Sequence, residues 1–182
     1  MTRVDVPAVL HRLARLPPGA GLTLVGIGGR GGAGKSTLAR LLPGAQVVGT
    51  DEFWDGAGFD LERLRREVVE PLRAGRAAVF HSYEWEAHAP RAAPRRVEPR
   101  GLVVIEGVCA LHRLFRDAYD LRVWVEAPYA VRLARGIARD GEGARRTWTE
   151  VWMPMEDRYV ERDDPVSAAD LVVDGGGGGE LP

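Results

Sequence analysis

Short apolar runs alternate with longer stretches of helical periodicity along most of the chain. The runs that predict buried strands are Leu22–Gly26, Val47–Val48, Ala77–Ser82, Leu102–Ile105, Leu121–Val125 and Leu171–Val173. The stretches whose apolar residues recur at helical spacing are 4–16, Lys35–Leu42, Leu61–Ala74, Tyr129–Asp140 and about Thr147–Arg162. Strands that alternate with helices are typical of an α/β protein whose parallel sheet is covered on both faces.

Local signals place the boundaries of several elements. Asp60 is a suitable N-cap for the helix that follows it, and Pro154 is expected to kink or break the last helix. Residues 86–100 are predicted to form a polar excursion interrupted by proline, and 141–146 a Gly/Arg loop. The chain has 182 residues, enough for one well-packed domain. We therefore predict a single domain over residues 1–174 and a flexible Gly-rich tail over 175–182.

Polar residues stand where three of the predicted strands end. A glycine-rich segment begins at Gly28, Asp51 follows the second strand, and Glu106 follows the strand at Leu102–Ile105. In open parallel sheets, ligands bind in the crevice at the carboxyl ends of the strands. The three features are therefore expected to meet in one site.

Residues 29–36 read Gly-Arg-Gly-Gly-Ala-Gly-Lys-Ser, a full match to the phosphate-binding loop pattern G-x-x-x-x-G-K-[ST] between a strand and a helix. The loop glycines let the backbone wrap around phosphate oxygens. The alternative is a glycine-rich turn that binds nothing, which the flanking strand and helix disfavour. The residues predicted to hold the nucleotide are Gly29, Gly31, Gly32, Ala33, Gly34, Lys35, Ser36 and Thr37.

Four side chains are candidates for the chemistry itself. Lys35, the only lysine among 25 basic residues, is expected to reach the β- and γ-phosphates, and the Ser36 hydroxyl to be a ligand of Mg²⁺. Asp51 and Glu106 should converge near the same phosphate. One of them would hold Mg²⁺ and the other would accept the proton of an attacking hydroxyl, and the residues alone leave both assignments open.

Composition narrows the class of protein. With a formal net charge of −1, the protein as a whole does not attract nucleic acid or anionic lipid. The basic stretch Arg91–Arg100 lacks the interleaved aromatic residues that are typical of a nucleic-acid site. No apolar run approaches the ~20 residues that span a bilayer. A single cysteine, Cys109, fits a reducing compartment. We expect a cytoplasmic protein without nucleic-acid or membrane partners, in which oligomerisation stays open.

Over residues 22–174 the sequence resembles the uridine kinase and phosphoribulokinase-like family of P-loop kinases. The resemblance rests on the phosphate loop Gly28–Thr37, on Asp51-Glu52-Phe53-Trp54 in place of the family's Asp-x-Phe-Tyr, and on Glu106-Gly107. It implies a P-loop NTPase fold with a five-stranded parallel sheet, helices on both faces and an arginine-bearing lid at about 140–147. It also implies ATP as the donor, Asp51 as the general base and a magnesium role for Glu106.

The resemblance extends to the acceptor. Tyr83-Glu84-Trp85-Glu86-Ala87-His88 has the spacing of a family segment that packs against a nucleoside base, and Asp55 is the nearest match to a ribose-binding aspartate. This implies Asp55, Tyr83 and His88 as substrate-binding residues. The alternative is that the aromatic residues only cover the edge of the sheet.

The stretch 132–140 is similar to the family's lid pattern, Arg-Leu-x-Arg-Arg-x-x-Arg-Asp. It implies that Arg135 and Arg139 bind substrate and that Arg139 stabilises the transferring phosphoryl group. Gly136 departs from the pattern because it replaces an arginine, whose contact would then be missing or supplied by Arg135, Arg145 or Arg146. Trp148 and Trp152, four residues apart, are expected to pack rather than bind.

Together these features predict a kinase that transfers the ATP γ-phosphoryl group to a hydroxyl of a nucleoside-like small molecule. A second interpretation is a kinase for another metabolite, nucleotide or antibiotic. A third, of a different class, is a P-loop ATPase or nucleotide-binding switch that acts on a partner protein. This last would hydrolyse ATP without forming a phosphorylated small molecule.

Overall fold

The computed structural model describes residues 3–16 and 21–176. The strands, in chain order, are β1 (Arg3–Val4), β2 (Leu22–Gly29), β3 (Gln46–Gly49), β4 (Ala78–Phe80), β5 (Tyr83–Glu84), β6 (Ala89–Pro90), β7 (Arg95–Val97), β8 (Gly101–Gly107), β9 (Leu121–Glu126) and β10 (Leu171–Asp174). The α-helices are α1 (Val6–Ala14), α2 (Lys35–Arg40), α3 (Leu61–Leu64), α4 (Glu70–Arg73), α5 (Tyr129–Asp140), α6 (Arg145–Thr147) and α7 (Met153–Asp163).

The central sheet is parallel, in the spatial order β1-β10-β9-β2-β8-β3. Five of its strands confirm the predicted five-stranded P-loop sheet, and the two-residue β1 adds a sixth at the edge. Residues 3–5 are therefore not the start of a helix, as the 4–16 pattern suggested. The helix begins at Val6, because Asp5 caps it by accepting a 3.0 Å hydrogen bond from the Ala8 N–H.

Both faces of the sheet are covered, which explains why its strands are apolar without alternation. On β2, Leu24 packs into the core on one face, whereas its neighbour Val25 packs into the core on the other. On β8, Ile105 and Val104 divide between the same two cores, and all four side chains are fully buried. Each central strand therefore contributes to two hydrophobic layers at once.

The predicted strand 77–82 forms, but outside the central sheet. As β4 it pairs antiparallel with β7, and Ala78 lies opposite Val97. The predicted excursion at 86–100 thus contains two short strands, because β6 also closes a small hairpin with β5. These ribbons bring Ser82 and Tyr83 next to the end of β3.

Two prolines inside helices coincide with widened turns. The π-helical turn Arg65–Val69 precedes Pro71, and Trp148–Trp152 precedes Pro154. Proline lacks an N–H and its ring collides with the carbonyl four residues earlier, so a wider turn relieves both problems. Pro154 therefore does not break the last helix, which continues into α7. Asp60 caps α3 as predicted, because its carboxylate accepts from the Arg63 N–H at 2.9 Å.

The end of the described chain packs closely. The Gly175 N–H donates to the Glu126 carbonyl at 2.8 Å, and a side chain at 175 would lie 2.0 Å from the Ala33 carbonyl oxygen. Gly175 and Gly176, the start of the predicted flexible tail, are thus held in place, whereas 177–182 lie outside the described residues. Within residues 3–16 and 21–176, no helix combines the length and apolar character needed to cross a membrane.

Candidate active site

Strand order brings the three predicted features together. β8 lies between β2 and β3, and Glu106 is in register with Ile27 on one side and Gly49 on the other. The phosphate loop follows β2, and the 3₁₀ turn Thr50–Phe53, which carries Asp51, follows β3. Glu106 therefore stands between the loop and the aspartate.

The phosphate loop turns tightly between β2 and α2. Gly32 and Gly34 have φ angles of 74° and 105°, in the left-handed region that favours glycine. A side chain at Gly32 would also lie 2.4 Å from the Arg132 carbonyl oxygen, because the loop rests on α5. This backbone, with side chains excluded, has the form of an anion cradle.

Lys35 is buried at the base of this loop. Only 8% of the residue is exposed, and its ammonium donates a 3.0 Å hydrogen bond to the Arg30 carbonyl. Burial lowers the pKa of Lys35, while Glu106 and Glu156 oppose that change. The chain thus holds a positive charge inside the loop, where phosphate oxygens would complement it.

Ser36 and Glu106 form a direct pair. The Ser36 hydroxyl donates to Glu106 Oε1 at 2.8 Å. Burial raises the pKa of Glu106, and the charge of Lys35 opposes the change. A hydroxyl and a carboxylate are hard oxygen ligands of the type that Mg²⁺ takes, along with water and phosphate oxygens. The donor set therefore fits Mg²⁺, with Ser36 and Glu106 as the residues that would hold it.

Asp51 faces the same charges. Burial is the main cause that raises its pKa, and the neighbouring Glu52 carboxylate raises it further. Lys35 acts in the opposite direction, so the lysine and the aspartate are within electrostatic reach of each other. An aspartate with a raised pKa is a better proton acceptor than an ordinary one.

Glu52, which the sequence interpretation passed over, fixes the turn that carries Asp51. Its Oε1 accepts from the Gly49 N–H at 2.8 Å, and its Oε2 accepts from the Ser82 hydroxyl at 2.5 Å. Arg95 also donates to Oε1. The turn is thereby tied to the ribbon of β4 and β7. The available signal was a glutamate inside the Asp-x-Phe-aromatic motif, which spacing alone does not distinguish from a solvated residue.

An aromatic cluster lies beside this turn. Trp54, Phe59, Tyr83 and Trp85 are linked by ring contacts with centroid separations of 5.2 to 5.5 Å. Trp85 remains 47% exposed, so the cluster presents an aromatic surface to solvent. Tyr83 is therefore part of an aromatic cluster beside the turn that carries Asp51. His88 lies in the turn between β5 and β6, is exposed and has a φ of 50°.

An open cleft of about 650 Å³ adjoins the segment after Asp51. Its lining comes from two segments, and comprises Asp55, Phe59, Asp60, Leu61, Glu62, His112, Arg113 and Leu114. Asp55 Oδ1 accepts from the Ala57 and Gly58 N–H groups, each at 2.8 Å, and these hydrogen bonds lower its pKa. Asp55 therefore shapes the loop and also borders the cleft.

The two arginines predicted to bind substrate differ in position. Arg135 donates to the main-chain carbonyls of Gly32 and Gly175 at 3.2 and 2.7 Å, so in this structure it braces the phosphate loop. Arg139 does not contact the phosphate loop in this way, but it lies within electrostatic reach of the site: its charge lowers the pKa of Lys35, and the charge of Asp51 helps to raise the pKa of Arg139. The largest cause of that raised pKa is the hydrogen bond to Asp140.

The predicted lid segment is helical and not a Gly/Arg loop. A 3₁₀ turn, Glu142–Ala144, leads directly into α6. Arg145 pairs with Glu142, and Arg146 donates to Glu150 at 2.8 Å, so the sequence supplies pairs at helical spacing. These exposed pairs explain why arginines that suggest a loop form a helix instead.

Residues of α7 also clamp the phosphate loop. Glu156 is 7% exposed and accepts from the Gly31 N–H at 2.9 Å, while its other oxygen accepts from the buried Arg132 at 3.3 Å. Arg30 of the loop donates to Asp157 at 2.8 Å. Sequence reasoning missed these acids, because an acidic residue on a C-terminal helix looks the same as a solvated one.

The predicted packing of the two tryptophans agrees with the structure, and the single cysteine is also largely enclosed. Trp148 is 2% exposed and packs against Trp152 with 5.2 Å between ring centroids. Cys109 is largely enclosed, and burial raises the pKa of its thiol to about 12. A thiol of this kind is inert at neutral pH.

Comparison with known proteins adds an independent observation. A family model described as phosphoribulokinase / uridine kinase family matches residues 44–176. The uridine kinase of Halobacterium salinarum is 28% identical over 167 residues, covering 75% of this chain and 74% of that protein. A uridine kinase of Staphylococcus aureus is 24% identical over 190 residues, covering 87% of this chain and 90% of that protein.

Solved structures show the same fold. One, described as a possible uridine kinase from Bacillus stearothermophilus, has a TM-score of 0.71 at 20% identity and covers 93% of this chain and 97% of that one. Another, named provisionally as a fructose transport system kinase from a Silicibacter species, has a TM-score of 0.65 at 22% identity and covers 93% and 98%. The family model matches only residues that follow the phosphate loop. The loop motif and the family match are therefore separate observations.

Proposed function

Because the chain belongs to the phosphoribulokinase / uridine kinase family, we propose that it transfers the γ-phosphoryl group of ATP to a hydroxyl of a nucleoside-like small molecule. Family and fold make it a P-loop kinase. The observation that carries the proposal is the meeting of Lys35, the Ser36–Glu106 pair and Asp51 at adjacent strand ends. Phosphoryl transfer depends mostly on positioning and on stabilising charge, and this arrangement offers both.

The position of each residue indicates its role in binding the donor nucleotide and Mg²⁺. The loop amides and Lys35 bind the phosphates of the donor. Ser36 and Glu106 hold Mg²⁺, which when bound neutralises charge that develops on the phosphates. Arg139 adds a planar donor that suits a phosphoryl group.

Asp51 takes the proton from the acceptor hydroxyl. Its raised pKa brings its basicity closer to neutral pH, where a general base works best. The carboxylate follows β3 and lies within electrostatic reach of Lys35, so a hydroxyl placed beside it would be close to the phosphate loop. The lid near 140–147 would exclude water that otherwise competes with the acceptor.

The aromatic cluster supports a planar acceptor. Aromatic rings stack on nucleobases irrespective of sequence, and Tyr83 and Trp85 offer such a surface next to the Asp51 turn. Asp55 and Asp60, on the wall of the adjoining cleft, provide oxygens that accept from sugar hydroxyls. The family resemblance assigns His88, exposed in the turn between β5 and β6, to the same acceptor. The protein is expected in the cytoplasm, as its single, enclosed thiol suggests.

The direct test is ADP formation with Mg–ATP across a panel of nucleosides, vitamins and sugars, with mass analysis of the product. Asp51→Asn should lower kcat about 10²- to 10⁴-fold on the true acceptor. Asp117→Asn, which changes an exposed surface aspartate, should leave kcat unchanged. Full turnover by Asp51→Asn would disprove the base assignment. ADP without any phosphorylated product would favour the ATPase or switch interpretation.

The donor site is tested separately by calorimetry. Mg–ATP should release heat on binding to the intact chain, and Lys35→Met should lose most of that heat because the buried ammonium is gone. Equal heat from both proteins would show that the loop does not grip the donor through Lys35. This measurement needs no acceptor, so it separates an error about the donor from an error about the acceptor.

A further inference from the structure

We propose that Trp148 is a positioning residue for Arg139. The absence of a side chain at Gly136 leaves the space that the Trp148 indole occupies. The inference rests on the proposed function, since it concerns how Arg139 is presented to the phosphate site. It also gives a reason for the departure at 136, where the family resemblance leads one to expect an arginine.

The indole of Trp148 fills the space between α5 and the phosphate loop. A side chain at 136 would lie 2.4 Å from Trp148 Cε2, and one at Gly31 would lie 2.9 Å from Trp148 Cη2. Both distances are shorter than any normal carbon contact, so the indole occupies this space only because positions 31 and 136 are glycines. The glycine at 136 is thus part of a packing arrangement in which a bulky arginine has no place.

The same indole contacts the group that holds Arg139. Trp148 Nε1–H donates to Asp140 Oδ2 at 2.9 Å. Arg139 donates to both oxygens of Asp140, at 2.7 and 3.0 Å, and its guanidinium carbon lies 5.7 Å from the centre of the Trp148 ring. Trp148 therefore contacts Arg139 twice, through a shared carboxylate and through a cation–π interaction.

These contacts matter because they restrict the Arg139 side chain, which is largely open to solvent. Its side chain is 69% exposed, and an exposed arginine loses substantial rotamer freedom when it is fixed in one direction. A surface ion pair alone contributes little to that ordering. The buried indole also lies against Gly31 of the phosphate loop, so it gives the guanidinium a rigid support beside that loop, within electrostatic reach of Asp51 and Lys35.

The test is a double-mutant cycle in kcat. Trp148→Phe keeps a ring but removes the donor to Asp140, and Trp148→Leu removes the ring face as well. We expect kcat to fall modestly in the first and about 10- to 100-fold in the second, with KM for ATP nearly unchanged. In an Arg139→Ala background, Trp148→Leu should cause no further loss of kcat, because its effect passes through Arg139.

The control is Trp152→Phe, which changes the neighbouring, partly exposed indole and should leave kcat unchanged. An equal fall in kcat for Trp148→Leu in both backgrounds would overturn the proposal, as would an unchanged kcat in Trp148→Phe and Trp148→Leu. If Arg139→Ala itself leaves kcat unchanged, the catalytic role of Arg139 is wrong and the proposal fails with it.

A second readout does not depend on turnover. Solvent exchange of the Arg139 Nε–H, followed by NMR, should be slow in the unaltered protein and at least several-fold faster in Trp148→Phe. Unchanged exchange would also overturn the proposal. Protected exchange in a protein that forms no phosphorylated product would leave the positioning role intact and locate the error in the proposed function.

Discussion

The Ser36 hydroxyl donates a 2.8 Å hydrogen bond to Glu106, which joins the phosphate loop to the end of the neighbouring strand β8. The pair carries a prediction about magnesium. Glu106→Gln keeps the shape of the side chain but removes its charge, so the site should hold Mg²⁺ about 10- to 100-fold more weakly. The measurement is the initial rate at fixed ATP as Mg²⁺ is raised.

A matched control for this variant is Glu98→Gln, a surface glutamate that pairs with Arg96. It should show the same Mg²⁺ dependence as the unaltered protein. An unchanged Mg²⁺ dependence in Glu106→Gln would remove Glu106 from the metal site.

The pH profile of kcat/KM should report the Asp51 carboxyl group. A general base acts when ionised, so activity is lost as pH falls through its pKa, which burial and Glu52 raise above the ordinary 3.8. The acid limb should therefore lie above that value. Glu52→Gln removes the second cause and should move the limb to lower pH, while the amide oxygen still accepts from Gly49.

Melting temperature should be recorded alongside, because Glu52 also binds Ser82 and Arg95. The raised pKa of Glu106 affects the same pH range, and the response to Glu52→Gln identifies which carboxyl group the limb reports. A limb that stays in place in a folded Glu52→Gln protein would show that it does not report Asp51.

The buried pair of Arg132 and Glu156 predicts a large effect on stability. Glu156→Ala leaves the Arg132 charge buried without its partner and the Gly31 N–H without an acceptor. The free energy of unfolding should fall by about 3–5 kcal/mol, measured by urea denaturation. Glu156→Gln should lose less, because its amide oxygen accepts from one of the two donors.

Glu150→Ala is the matched control, since Glu150 lies on the same helical stretch and forms an exposed pair with Arg146. Its loss should be about 0.3–0.5 kcal/mol. Similar losses for the two alanine variants would mean that the Arg132–Glu156 pair is no more important than a surface pair.

The packing around Gly136 predicts whether an alanine there raises or lowers the stability of the protein. The methyl group of Gly136→Ala would meet the Trp148 indole at 2.4 Å, so the free energy of unfolding should fall by about 1–3 kcal/mol despite the better helix propensity of alanine. Gly143→Ala, with nothing within 4 Å of the added methyl, should raise stability by about 0.4–1 kcal/mol. A gain in stability from Gly136→Ala would contradict the close packing of the Trp148 indole against position 136.

The strands of the sheet and the polar residues at their ends could be predicted, because both follow from the order of apolar and polar residues along the chain. A parallel strand buried on both faces has to be apolar throughout, as Leu102–Ile105 is, and polar residues can begin only where it ends, as at Glu106. The phosphate loop is likewise contiguous in sequence, so its glycines, Lys35 and Ser36 could be read directly.

The supports of the site were not predictable in the same way. Gly31 and Glu156 are joined by a hydrogen bond across 125 residues, and only the fold reveals it. The role of Gly136 depends on where the Trp148 indole lies, so from the sequence it could be read only as a missing arginine. The edge strand β1 is two residues long, too short for any periodicity to register.

The widened turn Trp148–Trp152 has a consequence for the angular phase of its helix. Trp148 and Glu156 are eight positions apart, which in a regular α-helix places them about 80° from each other around the axis. The extra residue of a π-turn offsets one position and brings them to within about 20°. Both side chains can then meet Gly31 from the same direction, so the insertion or deletion of one residue in this turn would rotate one of them away from Gly31.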